Sequence, residues 1–563
     1  MNMIQNAKNQ IDEIINSAFD RARASGILPE GARLSGTVEI PRDTTHGDFA
    51  STHAMTAAKE LKMAPIKIAE ALVEHIVLDE SYFKSVSIAG PGFINFFVSN
   101  IWYYGVLNTV DAMGSDYGAV NVGEGKRVMV EFVSANPTGS MTVGNARGGV
   151  LGDTLAAILE RAGYDVWREF YVNDIGNQVE MLARSMQARY IQRLKGEGAI
   201  DFPEDGYHGE EIWELADVFI KENGDRYLNI DEQTCLKDIR KFALEYNIAK
   251  MRADIAKYHI EYDEWFRESE LHDSRYVDET VEILRKNGYL YEKDGATWFE
   301  ATKFGCSKDE VIIKSNGYYT YYAADIAYHR NKLEKRGFGI AIDVFGADHH
   351  GHVVRFHAGL AGVDIAPDRL QFALYQLVHL TRDGETVRIS KRTGKVVTLA
   401  DLLDEIPADA ARFLFNNNSP DTRLMFDLGL AVRQDSENPV YYVQYAHARI
   451  CSLAAMLESD GFKVPEYHAI DVSLLNSEAE LELIKQISVL PEEIRLAARD
   501  FDTSRINKYV IELAARFHKF YSSCRIRGEV VELLLCRLKL ADITRAVIKN
   551  CLGLLGVSAP EKM

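Results

Sequence analysis

Residues 127–163 read RVMVEFVSANPTGSMTVGNARGGVLGDTLAAILERAG: an apolar strand, a turn holding four glycines, and an apolar helix. This order constrains the fold more than any other stretch. A strand that runs at once into a glycine-rich turn and a helix opens a Rossmann-like unit. YDVWREFYV, residues 164–172, supplies the next strand, after a glycine stop at Gly163. Strand–helix alternation resumes much later, with EVIIKSNG, YYTYYAADIAYHRNKLEKRG and IAIDVFGADHHGHVVRFHAGLAG.

The chain of 563 residues is long enough for several domains. The expected architecture is an α/β Rossmann-like core with a parallel sheet, an α+β N-terminal domain and an all-α C-terminal domain. The expected boundaries are 1–118 for the N-terminal domain and 119–184 for the first half of the core. A mostly helical insertion follows at 185–300, then the second half of the core at 301–405. Helices fill 406–563. No apolar run has membrane-spanning length. The N-terminus has helical spacing and neither a signal-peptide core nor an arginine-rich transit character, so a cytoplasmic protein is expected.

The net charge of −19 argues against a polyanionic partner, but it hides a gradient. From Arg505 to Lys549 there are ten Lys/Arg against four Asp/Glu, a net positive window in an acidic chain. In NKYVIELAARFHKFY, apolar Tyr509, Leu513, Phe517 and Phe520 share one face, and Lys508, Glu512, Arg516 and Lys519 share another. The six cysteines form no C-x-x-C pair, so protein-bound zinc is not expected. His349, His350 and His352 lack a matching carboxylate spacing, so no metal site is expected there.

The glycine turn suits a phosphate, because small residues let backbone N–H groups and a helix N-terminus approach an anion. On its own it is equally a tight packing turn. It is neither G-x-G-x-x-G nor a Walker turn, and Thr142 and Asn145 bring hydrogen-bond donors without charge. A basic loop, VRISKRTGKVV at 387–397, carries Lys391, Arg392 and Lys395 between strand-like runs. It can supply that charge to a triphosphate and its leaving pyrophosphate.

With both segments in view, the chain resembles the arginyl-tRNA synthetase family of class I aminoacyl-tRNA synthetases. TVGN stands where that class has its HIGH signature, and RISKR where it has KMSKS. EFVSANPTG, YYAADIAYH, VFGADHHGH, ISKRTGKVVTL and NPVYYVQYAHARI resemble the arginyl enzymes specifically. HGDFAS and IAGPGFINF resemble their extra N-terminal domain. YVIELAARFHKFYSSCRI and LGLLGVSAPEKM resemble their anticodon-binding domain. The departure is the loss of both HIGH histidines, replaced by Thr142 and Asn145, which places more of the electrostatic work on Lys391 and Arg392.

The resemblance implies ATP-dependent attachment of L-arginine to its tRNA through an arginyl-adenylate. ATP would enter with Mg²⁺, and the enzyme would act as a monomer. Lys391 and Arg392 would be catalytic. Thr142, Gly144, Asn145, Ser390, His349 and His350 would line the ATP site. Glu131, Asn136, Tyr321, Asp325 and Asp348 would bind arginine, because a planar cation with five donors needs fixed acceptors. Tyr445, Arg449, Arg505, Lys508, Arg516 and Lys519 would face tRNA, with Tyr445 and Tyr509 as possible stacking platforms for unpaired bases. Two other readings remain open here: a cysteinyl or glutamyl enzyme, disfavoured by the absent zinc pattern and the acidic pocket candidates, and a catalytically weak tRNA-binding paralogue, disfavoured by the retained ISKR.

Overall fold

The computed structural model describes residues 2–29, 34–41, 43–382, 384–387 and 397–563. Its centre is a five-stranded, all-parallel sheet. Across the sheet the strands run Leu370–Tyr375, Ile340–Gly346, Arg127–Phe132, Asp165–Val172 and Glu264–Arg267. Arg127–Phe132 comes first in the chain and lies in the middle. The chain adds two strands on one side of it, then crosses back and adds two on the other. The strand order therefore reverses between Arg127–Phe132 and Ile340–Gly346. In open α/β sheets a ligand crevice forms outside the carboxyl ends of the strands at such a switch point.

Arg127–Phe132 is buried along nearly its whole length, as a central parallel strand covered on both faces should be. Helix Val143–Arg161 packs directly on it, and two glycines set the distance. A Cβ on Gly152 would sit 2.3 Å from the Phe132 ring, and one on Gly148 would sit 2.6 Å from the Tyr375 hydroxyl. Part of the glycine richness of this turn therefore serves helix–sheet packing. Gly139 has open space around it, and a Cβ on Gly144 would meet only Thr142 Oγ1 at 3.5 Å.

The segment read as a mostly helical insertion also contributes a strand to the sheet. Helices Asn177–Lys195, Glu210–Asn223 and Glu232–Lys257 do form a bundle with its own core of Leu182, Met186, Tyr190, Leu215, Phe219 and Ile239. Glu264–Arg267, however, returns to the central sheet as its edge strand. Four residues with charges at both ends carry no readable strand period.

Before the sheet, helix Met3–Ala24 and a four-stranded antiparallel sheet build the N-terminal unit. After it, long helices follow, among them Pro439–Ser459, Ser504–Ser523 and Val531–Leu554. Arg412, fully buried, ties the helix packed on the sheet to the C-terminal helices. Its guanidinium donates to the Leu555, Tyr258 and His259 carbonyl oxygens and pairs with Asp153 at 2.5 Å. No described helix is long and apolar enough to cross a membrane.

Candidate active site

At the switch point the chain leaves Phe132 through two residues in the left-handed region, Val133 at φ 69° and Ser134 at φ 40°. A β-branched residue rarely adopts that conformation, and such strain clusters at functional sites. Ser134 holds the turn. Its hydroxyl donates to Glu131 Oε1 at 2.8 Å and accepts the Tyr171 N–H at 3.1 Å. Asn136 then stands exposed, its amide donating to Gln178 Oε1 at 2.9 Å.

Thr142 and Asn145 form a capping box on helix Val143–Arg161. The Thr142 N–H and hydroxyl both donate to Asn145 Oδ1 at 2.9 Å, and the Asn145 N–H donates to Thr142 Oγ1 at 3.4 Å. The Asn145 carbonyl oxygen is thereby committed to the helix end, which leaves its amide N–H groups as the donors for a ligand at a positively polarised helix N-terminus. Two substitutions separate these jobs. Asn145→Asp keeps the capping oxygen but places a negative charge against phosphate. It should hold thermal stability and raise the KM for ATP about 10- to 100-fold, the worth of a hydrogen bond to a charged group. Asn145→Ala loses both functions and should also cost about 0.5–2 kcal/mol of stability. Thermal melts beside ATP-dependent kinetics check this; an unchanged KM in both variants would leave the residue a cap alone.

The basic loop is rooted beside this cap. Thr398 makes an isolated antiparallel bridge with Thr142, and the Leu399 N–H donates to the Met141 carbonyl oxygen at 2.8 Å. Segments distant in sequence thus meet at the helix N-terminus. Ser390, Lys391 and Arg392 lie outside the described residues. So do the side chains of His349 and His350, whose backbone forms the turn Ala347–His349 and the start of helix His350–Gly362 at the end of strand Ile340–Gly346. Asp348 is exposed on that turn.

Tyr321 and Asp325 lie one turn apart on helix Tyr321–Arg330. Tyr321 is 54% exposed, and its hydroxyl lies 3.2 Å from where a Cβ on Gly176 would be. Asp325 is mostly buried, and among the described residues its carboxylate has no ion-pair partner. Burial, against the opposing pull of His329, pushes its carboxyl up to about 7, with Glu268 adding like-charge repulsion. Glu268 was not among the residues singled out from sequence. It starts helix Glu268–Asp273, is 4% exposed and is hydrogen-bonded to the Tyr171 hydroxyl. In sequence it looks like an ordinary first-turn acid. It repels the part-buried Asp325 and itself lies 3.9 Å from His272 Nε2.

Glu131 has a different setting. It is 4% exposed, accepts from Ser134, and is paired with Lys332 Nζ at 2.5 Å. Its carboxylate is already held by the protein.

Among the expected tRNA contacts, the structure groups Tyr445 and Arg449 with Tyr441, His518 and Tyr521. The Tyr441 and Tyr445 rings stack at 6.3 Å, and the Arg449 guanidinium lies 4.3 Å from the Tyr521 ring centroid. Lys519, next to His518, is exposed. Arg505 and Lys508 lie near the other end of the same helix, Ser504–Ser523. Arg505 pairs with Glu493 and Asp500, while Lys508 is exposed and donates to Ser504. Arg516 pairs with Glu482 and Glu512. The expectation that Tyr509 stacks on bases is corrected: it is 4% exposed and donates to the Ile487 carbonyl oxygen inside the helical core.

A parallel sheet with its crevice at the switch point, a capped glycine turn and a second loop rooted on that cap define a class I aminoacyl-tRNA synthetase catalytic domain, and residues 109–432 match the family model for the class I (R) catalytic domain. Residues 5–98 match the arginyl tRNA synthetase N-terminal domain and 443–563 the DALR anticodon binding domain. The chain belongs to the arginyl-tRNA synthetase family. It is 49% identical over 562 residues to the arginine–tRNA ligase of Acetivibrio thermocellus, with 100% of both chains covered. The arginine–tRNA ligase of Ruminiclostridium cellulolyticum matches to the same identity and coverage. The solved arginyl-tRNA synthetase of Thermus thermophilus, at 20% identity, shares the fold with a TM-score of 0.73 over 99% of this chain and 100% of that one.

Proposed function

We propose that the crevice at the switch point activates L-arginine with ATP, and that the same site passes the arginyl group to the 2′-hydroxyl of the terminal adenosine of its tRNA. The chain is an ATP-dependent arginine–tRNA ligase. The observation that carries the assignment of the site is the Thr142–Thr398 bridge, which roots the basic loop on the cap of the glycine-turn helix.

In the first step the arginine carboxylate oxygen attacks the α-phosphorus of ATP. A new O–P bond forms, the bridging P–O bond breaks, and pyrophosphate leaves. Positioning and electrostatics suffice, and no covalent enzyme intermediate is required. The helix N-terminus and the Asn145 amide face the phosphates, with Thr142 and Gly144 shaping the turn. Ser390, His349 and His350 complete the nucleotide site. Lys391 neutralises charge developing on the phosphates, with Arg392 beside it. Mg²⁺ enters as the counter-ion of ATP.

Asp325 and Glu268 receive the cationic end of arginine, with Tyr321, Asn136 and Asp348 at the rim and Glu131 bracing the wall behind. Glu268 and the part-buried Asp325 repel one another, which favours a positive ligand between them. The Tyr445–Arg449 cluster, with Lys519 beside it, offers stacking and cationic groups to unpaired tRNA bases. Lys508, Arg505 and Arg516 add positive charge along the same helix. The enzyme acts in the cytoplasm as a monomer.

The test is ATP-dependent charging of total tRNA with each amino acid supplied separately. Arginine alone should be attached. Preferential attachment of any other amino acid would overturn the reading.

A further inference from the structure

Behind the arginine pocket lies a buried charge cluster that the reaction as described does not use. Helix Tyr321–Arg330 opens into a π turn, Asn331–Lys335. Such turns re-aim a side chain and recur at functional sites. This one sends Lys332 inward, fully buried, between two neighbouring strands of the sheet. Its Nζ lies 2.5 Å from Glu131 Oε2 and 2.8 Å from Asp343 Oδ1. Glu131 and Asp343 are register partners on the two strands that flank the switch point.

Two chains of contacts leave this ammonium. Through Glu131 it reaches Ser134, whose hydroxyl fixes the left-handed turn that launches Asn136 and the signature loop. Through Asp343 it reaches His329, whose Nε2 lies 2.8 Å from Asp343 Oδ2 and whose Nδ1 donates to the Asp325 carbonyl oxygen at 2.7 Å. Each chain ends on one wall of the pocket. Burial alone would raise the Asp343 carboxyl, but Lys332 and His329 outweigh it and hold it at about 2. Glu131 is pushed upward by burial beyond what Lys332 offsets.

We propose that Lys332 is a positioning residue for arginine: its buried ammonium, shared by Glu131 and Asp343, clamps both walls of the amino-acid pocket in register across the switch point. It touches no substrate. The inference rests on the assignment of Asp325 to that pocket. It accounts for the position of a lysine that the sequence HRNKLEKR presents as one more charge on a surface helix, and for the pairing of Glu131, which leaves that carboxylate occupied.

The test uses the full-length enzyme and compares the KM values for arginine and ATP. Lys332→Met alone leaves two buried carboxylates facing one another and can fail to fold. The paired variant Lys332→Met/Glu131→Gln removes one anion with the cation and leaves Asp343 with His329. Ser134→Ala cuts the same relay further out, at a half-buried side chain. In whichever of these variants folds, the arginine KM should rise about 10- to 100-fold, the usual effect of a displacement near 1 Å in a binding constellation, while the ATP KM stays within about threefold. A parent-like arginine KM in the folded variants overturns the proposal, as does an equal rise for ATP, which would mark a general structural role. Asp325→Asn is measured alongside. If it too leaves the arginine KM unchanged, the pocket assignment is at fault; if it raises the KM and the relay variants do not, only the role of Lys332 fails.

Discussion

Asp325→Asn should cut the use of arginine by about two to four powers of ten while leaving ATP binding nearly intact. A guanidinium that loses its carboxylate in a buried site loses about 3–5 kcal/mol. The amide no longer demands a cation, so the preference for arginine over citrulline, which has nearly the same shape but no charge, should shrink with it. The pH dependence gives a second readout. Burial raises the Asp325 carboxyl to about 7, so in the empty enzyme it is protonated below that pH and ionised above it. Only the ionised form pairs with arginine. The arginine KM should therefore climb as pH falls through 7 in the parent and change much less in the variant. Stability runs the opposite way. The folded state holds this proton more tightly than the unfolded chain, whose carboxyl titrates at its ordinary value of 3.8, so ionisation penalises the fold above pH 7, and the penalty is relieved as pH falls from 7 toward 4. Asp325→Asn should accordingly melt higher than the parent at pH 8, with the gap closing in acid. Arginine kinetics and melts at pH 6 and pH 8 decide it. An unchanged arginine-to-citrulline ratio removes Asp325 from the pocket.

The parts of this site that were legible in the sequence are local. The strand–turn–helix around TVGN could be read because its apolar periods and glycines are contiguous, and helix Val143–Arg161 ends just ahead of the glycine stop at Gly163. The capping box was not read from the sequence, where Thr142 and Asn145 counted only as hydrogen-bond donors for a phosphate. What this missed is that the Asn145 oxygen is spent on the helix.

The charge economy of the pocket was not legible, because it is assembled from distant positions. Glu131, Lys332 and Asp343 meet only after the crossover returns strand Ile340–Gly346 beside strand Arg127–Phe132. Glu268 starts a helix directly after an edge strand too short to show a period. A lysine in a basic run and a glutamate at a helix start each have a commoner solvated use, and only burial tells otherwise. Tyr509 erred in the other direction: its apolar neighbours on one helix face already marked it as core, and the helical packing around Phe517 and Leu513 claims it.

Lys391→Ala should lower turnover by about 10²–10³ with little change in arginine binding, the typical cost of removing one preorganised electrostatic contact from a transition state. The reasoning starts from what the glycine turn lacks. Thr142 and Asn145 are neutral, and the cap leaves only amide donors and the partial charge of a helix end to offer a phosphate. As the α-phosphorus is attacked, negative charge builds on the departing pyrophosphate, and a fixed cation is the most effective stabiliser for it. Lys391 belongs to a loop that departs after Val387, which is hydrogen-bonded to Leu380, and returns at Thr398, bridged to Thr142. Both feet are anchored, and one of them stands on the cap itself, so a cation carried between them has a short span to search for a phosphate bound at that helix end. The effect should fall on the chemical step: single-turnover adenylate formation with tRNA present should slow by the full factor, while the arginine KM stays within a few-fold. Lys391→Arg keeps the charge but exchanges a compact ammonium for a broad fork, and should recover only part of the rate. Near-normal turnover in Lys391→Ala would take this residue out of the mechanism and pass its role to Arg392 or Lys395, the remaining cations of the loop.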